Sequence, residues 1–209
     1  MDILNTLSNM NLRRLDPSRG VFVCTTYWRP QPEAPDPEQP GEKASVLSYL
    51  PVKAKEDCPC GSGNLFEACC QQLPYWQALC PNPGMQGYSL FASQSATFSK
   101  IPRDQVSAFL QEDIRLYCVQ DTRQRAFWVY WGDPALDAPP FGTLCFGDFE
   151  LTKNTLVVST LSDIRMNTLL DLIHPLNLGT PLFHRDPLPT PEKPARKRAL
   201  FLRKRQTPS

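Results

Sequence analysis

With 209 residues, 41% hydrophobic content and a formal net charge of +1, the chain is long enough for one ordinary core, and its 22 prolines place a good part of it outside that core. No run of eighteen apolar residues exists, and the first fifteen residues lack a charged leader followed by an apolar stretch, which argues against a spanning helix or an export signal and for a soluble, cytoplasmic protein. A disulfide scaffold is also disfavoured: of eight cysteines, Cys24, Cys80, Cys118 and Cys145 are scattered, three of them in apolar strand-like runs that suit buried thiols in a reducing compartment.

The first unit, residues 1–28, ends in the β-branched and aromatic run 20–28, which predicts a strand. A linker over 29–44 follows, where Pro30, Pro32, Pro35, Pro37 and Pro40 favour an extended, semi-rigid chain. Residues 42–50 predict a short helix that ends at Pro51 and delivers the chain to the next unit, 45–80.

That unit holds the most informative stretch, Cys58-Pro59-Cys60-Gly61-Ser62-Gly63-Asn64-Leu65-Phe66-Glu67-Ala68-Cys69-Cys70. Two close cysteine pairs face each other across eight positions, and Gly61 and Gly63 supply the backbone freedom for a tight reversal between them. Cys58 and Cys60 are too near in sequence to bridge easily, and a bridge between the adjacent Cys69 and Cys70 would be strained. Four soft thiolates brought together suit a tetrahedral Zn²⁺ with bonds of roughly 2.3 Å. Four thiolates also fill the coordination shell, so the expected metal is structural.

These residues resemble the SEC-C motif, the zinc knuckle at the carboxyl end of the preprotein translocase ATPase SecA, which also occurs attached to many unrelated bacterial domains. The Cys-Pro-Cys-Gly-Ser-Gly start, an aromatic residue at Phe66 and the closing Cys69-Cys70 pair fall in register. The resemblance covers about thirteen residues and implies Cys58, Cys60, Cys69 and Cys70 as ligands. Where the family commonly carries lysines, this chain has Asn64, Leu65, Glu67 and Ala68, so compensation of the negative thiolate centre is expected to fall mainly to backbone N–H groups.

After the knuckle, residues 71–78 predict a helical turn with Tyr75 and Trp76 packed against the zinc lobe, ended by Pro81, Pro83 and Gly84. Residues 86–178 then read as one α+β unit. Its elements are a strand-like stretch over 88–99, a helix opened by Pro102 with Val106, Phe109 and Leu110 on one side, and a hairpin of 114–120 with 125–131. The run Phe127-Trp128-Val129-Tyr130-Trp131 is apolar on both faces and belongs in mid-sheet rather than on a base-stacking surface. A second hairpin joins 143–151 to 155–160. A helix follows with Thr160 and Asp163 in capping-box spacing and Leu161, Ile164, Leu169 and Leu172 at helical intervals, until Pro175 stops it. The fold class is therefore α+β, a small four-cysteine knuckle followed by an antiparallel sheet with two helices.

Residues 179–209 form a proline-rich and basic tail. From Asp186 onward seven basic residues stand against two acidic ones, six of them in the triplets Arg196-Lys197-Arg198 and Arg203-Lys204-Arg205. His174 and His184 fit no triad or metal pair, and Asp113, Asp121, Asp133, Asp137 and Asp148 read as turn or strand-edge carboxylates. The expected function is non-catalytic: a zinc-binding protein–protein adaptor whose knuckle presents side chains such as Leu65. The alternative is an RNA- or ribosome-associated factor acting through the basic tail, where phosphate contacts release counterions.

Overall fold

The computed structural model describes residues 19–30, 41–85, 87–131, 143–187 and 193. Among them ten strands form one curled, mixed but mostly antiparallel sheet with two helices, so the fold is α+β. The strands are β1 (Gly20–Pro30), β2 (Gly41–Pro51), β3 (Ala78–Pro81), β4 (Tyr88–Leu90) and β5 (Ala92–Ser99). They continue with β6 (Leu116–Asp121), β7 (Ala126–Trp131), β8 (Thr143–Leu151), β9 (Thr155–Thr160) and β10 (Leu182–Pro187). The helices are α1 (Arg103–Glu112) and α2 (Asp163–Ile173). Neither is long and apolar enough to cross a membrane.

The helix expected over 42–50 is instead β2. It pairs antiparallel with β1 over eleven positions, from Gly20↔Pro51 to Pro30↔Gly41. The physical reason is the partner: β1 offers a ladder as long as the segment, and that pairing outweighs a weak local preference for helix. Pro51 is tolerated because, among the described residues, β2 pairs on one edge with β1 and is an edge strand. The ends of the proline-rich stretch, 29–30 and 41–44, are thus strand, while 31–40 lie outside the described residues.

β1 is the hub of the N-terminal half. On its other side it pairs parallel with β3 (Phe22↔Ala78, Val23↔Leu79), and its far end pairs with the start of β8 (Tyr27↔Leu144, Trp28↔Thr143). β8 then leaves β1 and runs between β7 and β9. A bulge where Tyr130 faces Gly147 and Trp131 faces Cys145 leaves Phe146 as the extra residue and bends the strand at this corner. Sheet order beyond the corner is β10-β5-β9-β8-β7-β6.

The main core lies between this second half and the helices. Trp128, Phe149, Leu151, Leu156, Leu169 and Leu110 are almost wholly buried in it. The 127–131 run alternates as the two-faced reading requires. Trp128 and Tyr130 enter the main core, whereas Phe127 and Val129 join Trp28 and Cys145 on the opposite face, with the Trp28 and Phe127 rings 5.3 Å apart. α1 buries Val106 and Leu110, with Phe109 partly covered. Both expected hairpins form, the second with the expected bounds.

Two local expectations are corrected. The cap of α2 is Ser162, whose Oγ accepts the Arg165 N–H at 3.3 Å, and Thr160 cannot serve because its hydroxyl donates to the Phe146 carbonyl at 2.8 Å. Residues 71–78 lead into β3 without an α-helix. Trp76 turns away from the knuckle, its ring 4.9 Å from Phe22 and 6.4 Å from Tyr49, while Tyr75 stays 39% exposed.

The corner between the halves is held by an ion pair. Lys43 on β2 donates to the carboxylate of Asp148 on β8, which is 5% exposed, and the ammonium also lies 5.8 Å from the centre of the Phe127 ring. Burial disfavours the Lys43 charge, but the Asp148 carboxylate outweighs it and raises the Lys43 pKa; burial likewise lifts Asp148 above the ordinary carboxylate range. Lys43→Met removes the partner of a buried carboxylate and is expected to destabilise the protein by about 3–5 kcal/mol in urea denaturation. The ionised carboxylate is then the penalised form, a penalty absent below its unfolded pKa of about 3.9 and growing as pH rises through the elevated folded value. The deficit relative to wild type should therefore be larger at about pH 7 than at about pH 5, and a deficit independent of pH would show that Asp148 is not its source.

Candidate metal centre

Between β2 and β3 the chain has no long element and is shaped by turns. Cys58 N–H donates to the Asn64 carbonyl at 2.7 Å and Phe66 N–H to the Glu56 carbonyl at 2.8 Å, closing a narrow reversal with a single bridge between Asp57 and Leu65. Gly61 and Gly63 turn that reversal at φ of 79° and 73°, a region that side-chain-bearing residues avoid. One 3-10 turn, Phe66–Ala68, then brings the second cysteine pair back over the first. Phe66 is fully buried beneath them against Val21, Val52 and Leu79, so the reversal is anchored on β1 and β3.

This turn chemistry brings together the four cysteines singled out by spacing. The Sγ atoms of Cys58, Cys60, Cys69 and Cys70 all lie within 4.8 Å of one another, with Cys60 and Cys69 at 3.6 Å. A tetrahedron with metal–sulfur bonds of about 2.3 Å has sulfur–sulfur edges of roughly 3.8 Å. The donor set thus fits a soft divalent cation in both identity and spacing. Cys58 and Cys70 are buried at 4% and 2% exposure, and Cys60 and Cys69 are partly open.

Two of the four sulfurs accept backbone N–H bonds. Cys58 Sγ accepts from the backbone of Cys60 and Cys70, and Cys60 Sγ accepts from the backbone of Ser62. The Ser62 hydroxyl lies 3.3 Å from Cys69 Sγ. For Cys60, burial alone would raise the thiol pKa, but hydrogen bonds from Ser62, Cys58 and Cys69 reverse the effect and lower it to about 7. Burial raises Cys58 and Cys70. Backbone N–H compensation is therefore present at Cys58 and Cys60. A charge that sequence reading missed joins it: Lys193 Nζ donates to the carbonyls of Cys70 at 2.8 Å and Gln71 at 3.3 Å.

The other cysteines lie elsewhere. Cys24, Cys80 and Cys145 are buried in strands, whereas Cys118 on β6 is exposed. His174 closes α2 at an exposed position, and His184 on β10 pairs with Asp186 at 2.8 Å; neither joins the thiols. The triplets Arg196-Lys197-Arg198 and Arg203-Lys204-Arg205 lie outside the described residues. Sequence reading also took Asp148 for a turn or edge carboxylate. It is buried in a strand, and its signal was a lone acid inside the apolar run 144–149. The corner it occupies opens a cleft of about 260 Å³ lined by Thr26, Lys43, Ser45 and Ser159. There Lys43 pairs with Asp148, and burial pushes the Cys145 thiol up to about 12.

Comparison with family models, with curated proteins and with solved structures found no match for this chain.

Because the four thiols share one turn, Cys60→Ser is expected to loosen the whole reversal while leaving the main core in place. In a metal-loaded sample, alkylation of Cys58, Cys69 and Cys70 followed by mass spectrometry should accelerate at least about tenfold relative to the parent. Unchanged alkylation would show that the turn holds without the fourth sulfur.

Proposed function

We propose that the cysteine cluster is a structural zinc centre of SEC-C type and that the chain is a non-catalytic adaptor which presents this knuckle to a protein partner. The observation that carries the reading is the convergence of four thiols on an exposed tip, where residues 61–65 face solvent and Leu65 is 41% exposed. Four thiolates saturate a tetrahedral ion and leave no position for a substrate, which favours a scaffolding role over Lewis-acid chemistry. A rigid frame with one apolar side chain at its tip suits docking, because little conformational entropy is lost when the tip is covered. The basic tail supports the RNA or ribosome reading by charge alone, and that reading requires binding that weakens steeply with salt.

Elemental analysis of the purified protein is expected to give one zinc per chain, as binding of roughly 10–16 kcal/mol for structural zinc at neutral pH makes the ion hard to lose. Absence of stoichiometric metal would remove the proposal. Chelation is expected to spare most of the far-ultraviolet circular dichroism, because both helices and strands β4 to β9 lie within residues 88–178 while all four cysteines lie outside that span. Loss of the whole signal would make the metal a condition of the entire fold. Leu65→Asp should abolish capture of a protein partner from native lysate while retaining zinc, and capture lost instead on nuclease treatment would favour the RNA reading.

A further inference from the structure

We propose that Lys193, more than a hundred residues downstream of the cysteines, is the counter-charge and lock of the metal centre. The inference rests on the zinc reading above and adds to it a positioning residue that nothing in the knuckle's own sequence supplies.

The need for such a residue follows from charge. Zn²⁺ with four thiolates carries a formal charge of about minus two. Between Glu56 and Gln72 the chain contributes three further acidic residues, Glu56, Asp57 and Glu67, and no basic one. Lys53 is occupied with Glu56 at 3.3 Å, and Lys55 is exposed. A half-buried centre of this sign gains from a cation brought from elsewhere in the chain, since the low local dielectric strengthens any opposite charge placed beside it.

Lys193 is placed to meet that need, and it is held at both ends. Its backbone N–H donates to the Pro74 carbonyl at 2.8 Å, and its ammonium donates to the carbonyls of Cys70 and Gln71. The side chain is partly buried there rather than extended into solvent. Fixing a lysine side chain costs up to about 2 kcal/mol of rotamer freedom, so three directed bonds at one residue mark a built contact rather than a chance one.

The acceptors belong to the turn that positions the ligands. Gln71 N–H and Cys69 N–H both donate to the Phe66 carbonyl, and Gln72 N–H donates to the Cys69 carbonyl. These bonds aim the Cys70 and Gln71 carbonyls outward, side by side, where one ammonium reaches both. A turn held closed by four metal–sulfur bonds keeps the carbonyl pair in place; a turn opened by metal loss separates them. Metal binding and Lys193 docking are thus coupled, and by linkage each strengthens the other by the same factor. Lys193 reaches the centre through the Cys70 carbonyl and acts there as a positioning residue.

The test uses the full chain loaded with zinc. Competition with a chromophoric chelator gives the zinc dissociation constant, and Co²⁺ substitution gives the absorption bands of the tetrahedral thiolate site. Lys193→Gln and Lys193→Met are expected to weaken zinc roughly tenfold, within the usual range of coupling between two sites, with Co²⁺ bands that remain tetrahedral. Lys193→Arg keeps the charge and should stay within about threefold of wild type. In the wild-type chain, acylation of the Lys193 amine by N-hydroxysuccinimidyl acetate should be slow with zinc bound and several-fold faster after chelation. Equal zinc affinity of wild type and Lys193→Gln, or an acylation rate blind to zinc, overturns the inference while leaving a stoichiometric metal site intact. A wild-type chain without stoichiometric zinc overturns the metal reading and this inference together.

Discussion

The pairing of β1 on both of its sides is the constraint on which the rest of the structure depends. β2 ends at Pro51 opposite Gly20, and β3 begins at Ala78 opposite Phe22, so the cysteine segment leaves and re-enters the sheet within two residues of one strand. Two backbone bonds seal the junction, Val52 N–H to Arg19 carbonyl at 2.7 Å and Phe22 N–H to Gln77 carbonyl at 3.0 Å. Strands flanking a common neighbour lie about 9.5 Å apart. The ends of the 52–77 loop are therefore fixed at that spacing before any metal binds, and the sheet bears the entropy of closing it. Phe66 completes the arrangement by seating the base of the reversal on Val21 of β1 and Leu79 of β3.

The same strand ties the knuckle to the other half of the molecule. Among the described residues Tyr27 and Trp28 pair with β8, and polar groups gather at that corner to reinforce the ladder. Lys43 reaches from β2 to Asp148 on β8, and Thr26 and Ser45 Oγ atoms lie 3.2 Å apart across β1 and β2. Such a half-buried pair, with Asp148 covered and Lys43 exposed, adds little net stability compared with apolar packing, yet it disfavours registers that would leave Asp148 without a cation. On the far side Arg165 fills a matching role at the start of α2. Its guanidinium is 1% exposed, donates twice to the Pro81 carbonyl of β3 and lies 4.7 Å from the centre of the Phe146 ring, joining helix, β3 and the bulge of β8. Two long cations, one on each half, thus hold the corner where β1 meets β8.

What was legible in the sequence was what neighbouring residues decide among themselves. β9 shows period-two alternation, the turn of its hairpin with β8 falls at 152–154, and the cysteine reversal is set by glycines and turns within thirteen residues. Segments decided by distant partners were not legible. β2 carries Val46 and Leu47 side by side and so lacks clean alternation; its extended state comes from β1. The misplaced cap of α2 has the same origin, because the Thr160 hydroxyl is committed to Phe146, fourteen residues away. Trp76 was expected on the zinc lobe because it follows the cysteines closely, but β3 begins two residues later and carries it onto Phe22 and Tyr49 instead. Lys193 was read only as one more basic residue of the tail, since nothing in its surroundings names the Cys70 carbonyl.

The burial of the four sulfurs sets how the centre responds to its ion. Cys58 and Cys70 face Phe66 and the sheet, where burial favours the protonated thiol; Cys60 faces the Ser62 donors, which favour the thiolate. Without metal the inner pair can rest as neutral thiols in an apolar setting, which avoids burying unpaired negative charge. Binding must then expel protons from the inner pair, while Cys60 is already poised near neutrality. Affinity consequently falls as acidity rises, and the negative charge created on the inner sulfurs forms on the side where the Cys70 carbonyl faces the Lys193 ammonium. The N–H donors of the reversal and the Ser62 hydroxyl also compensate the centre, but they carry dipoles and no net charge. That difference is why the position of one remote lysine bears on the electrostatics of a site otherwise built from thirteen consecutive residues.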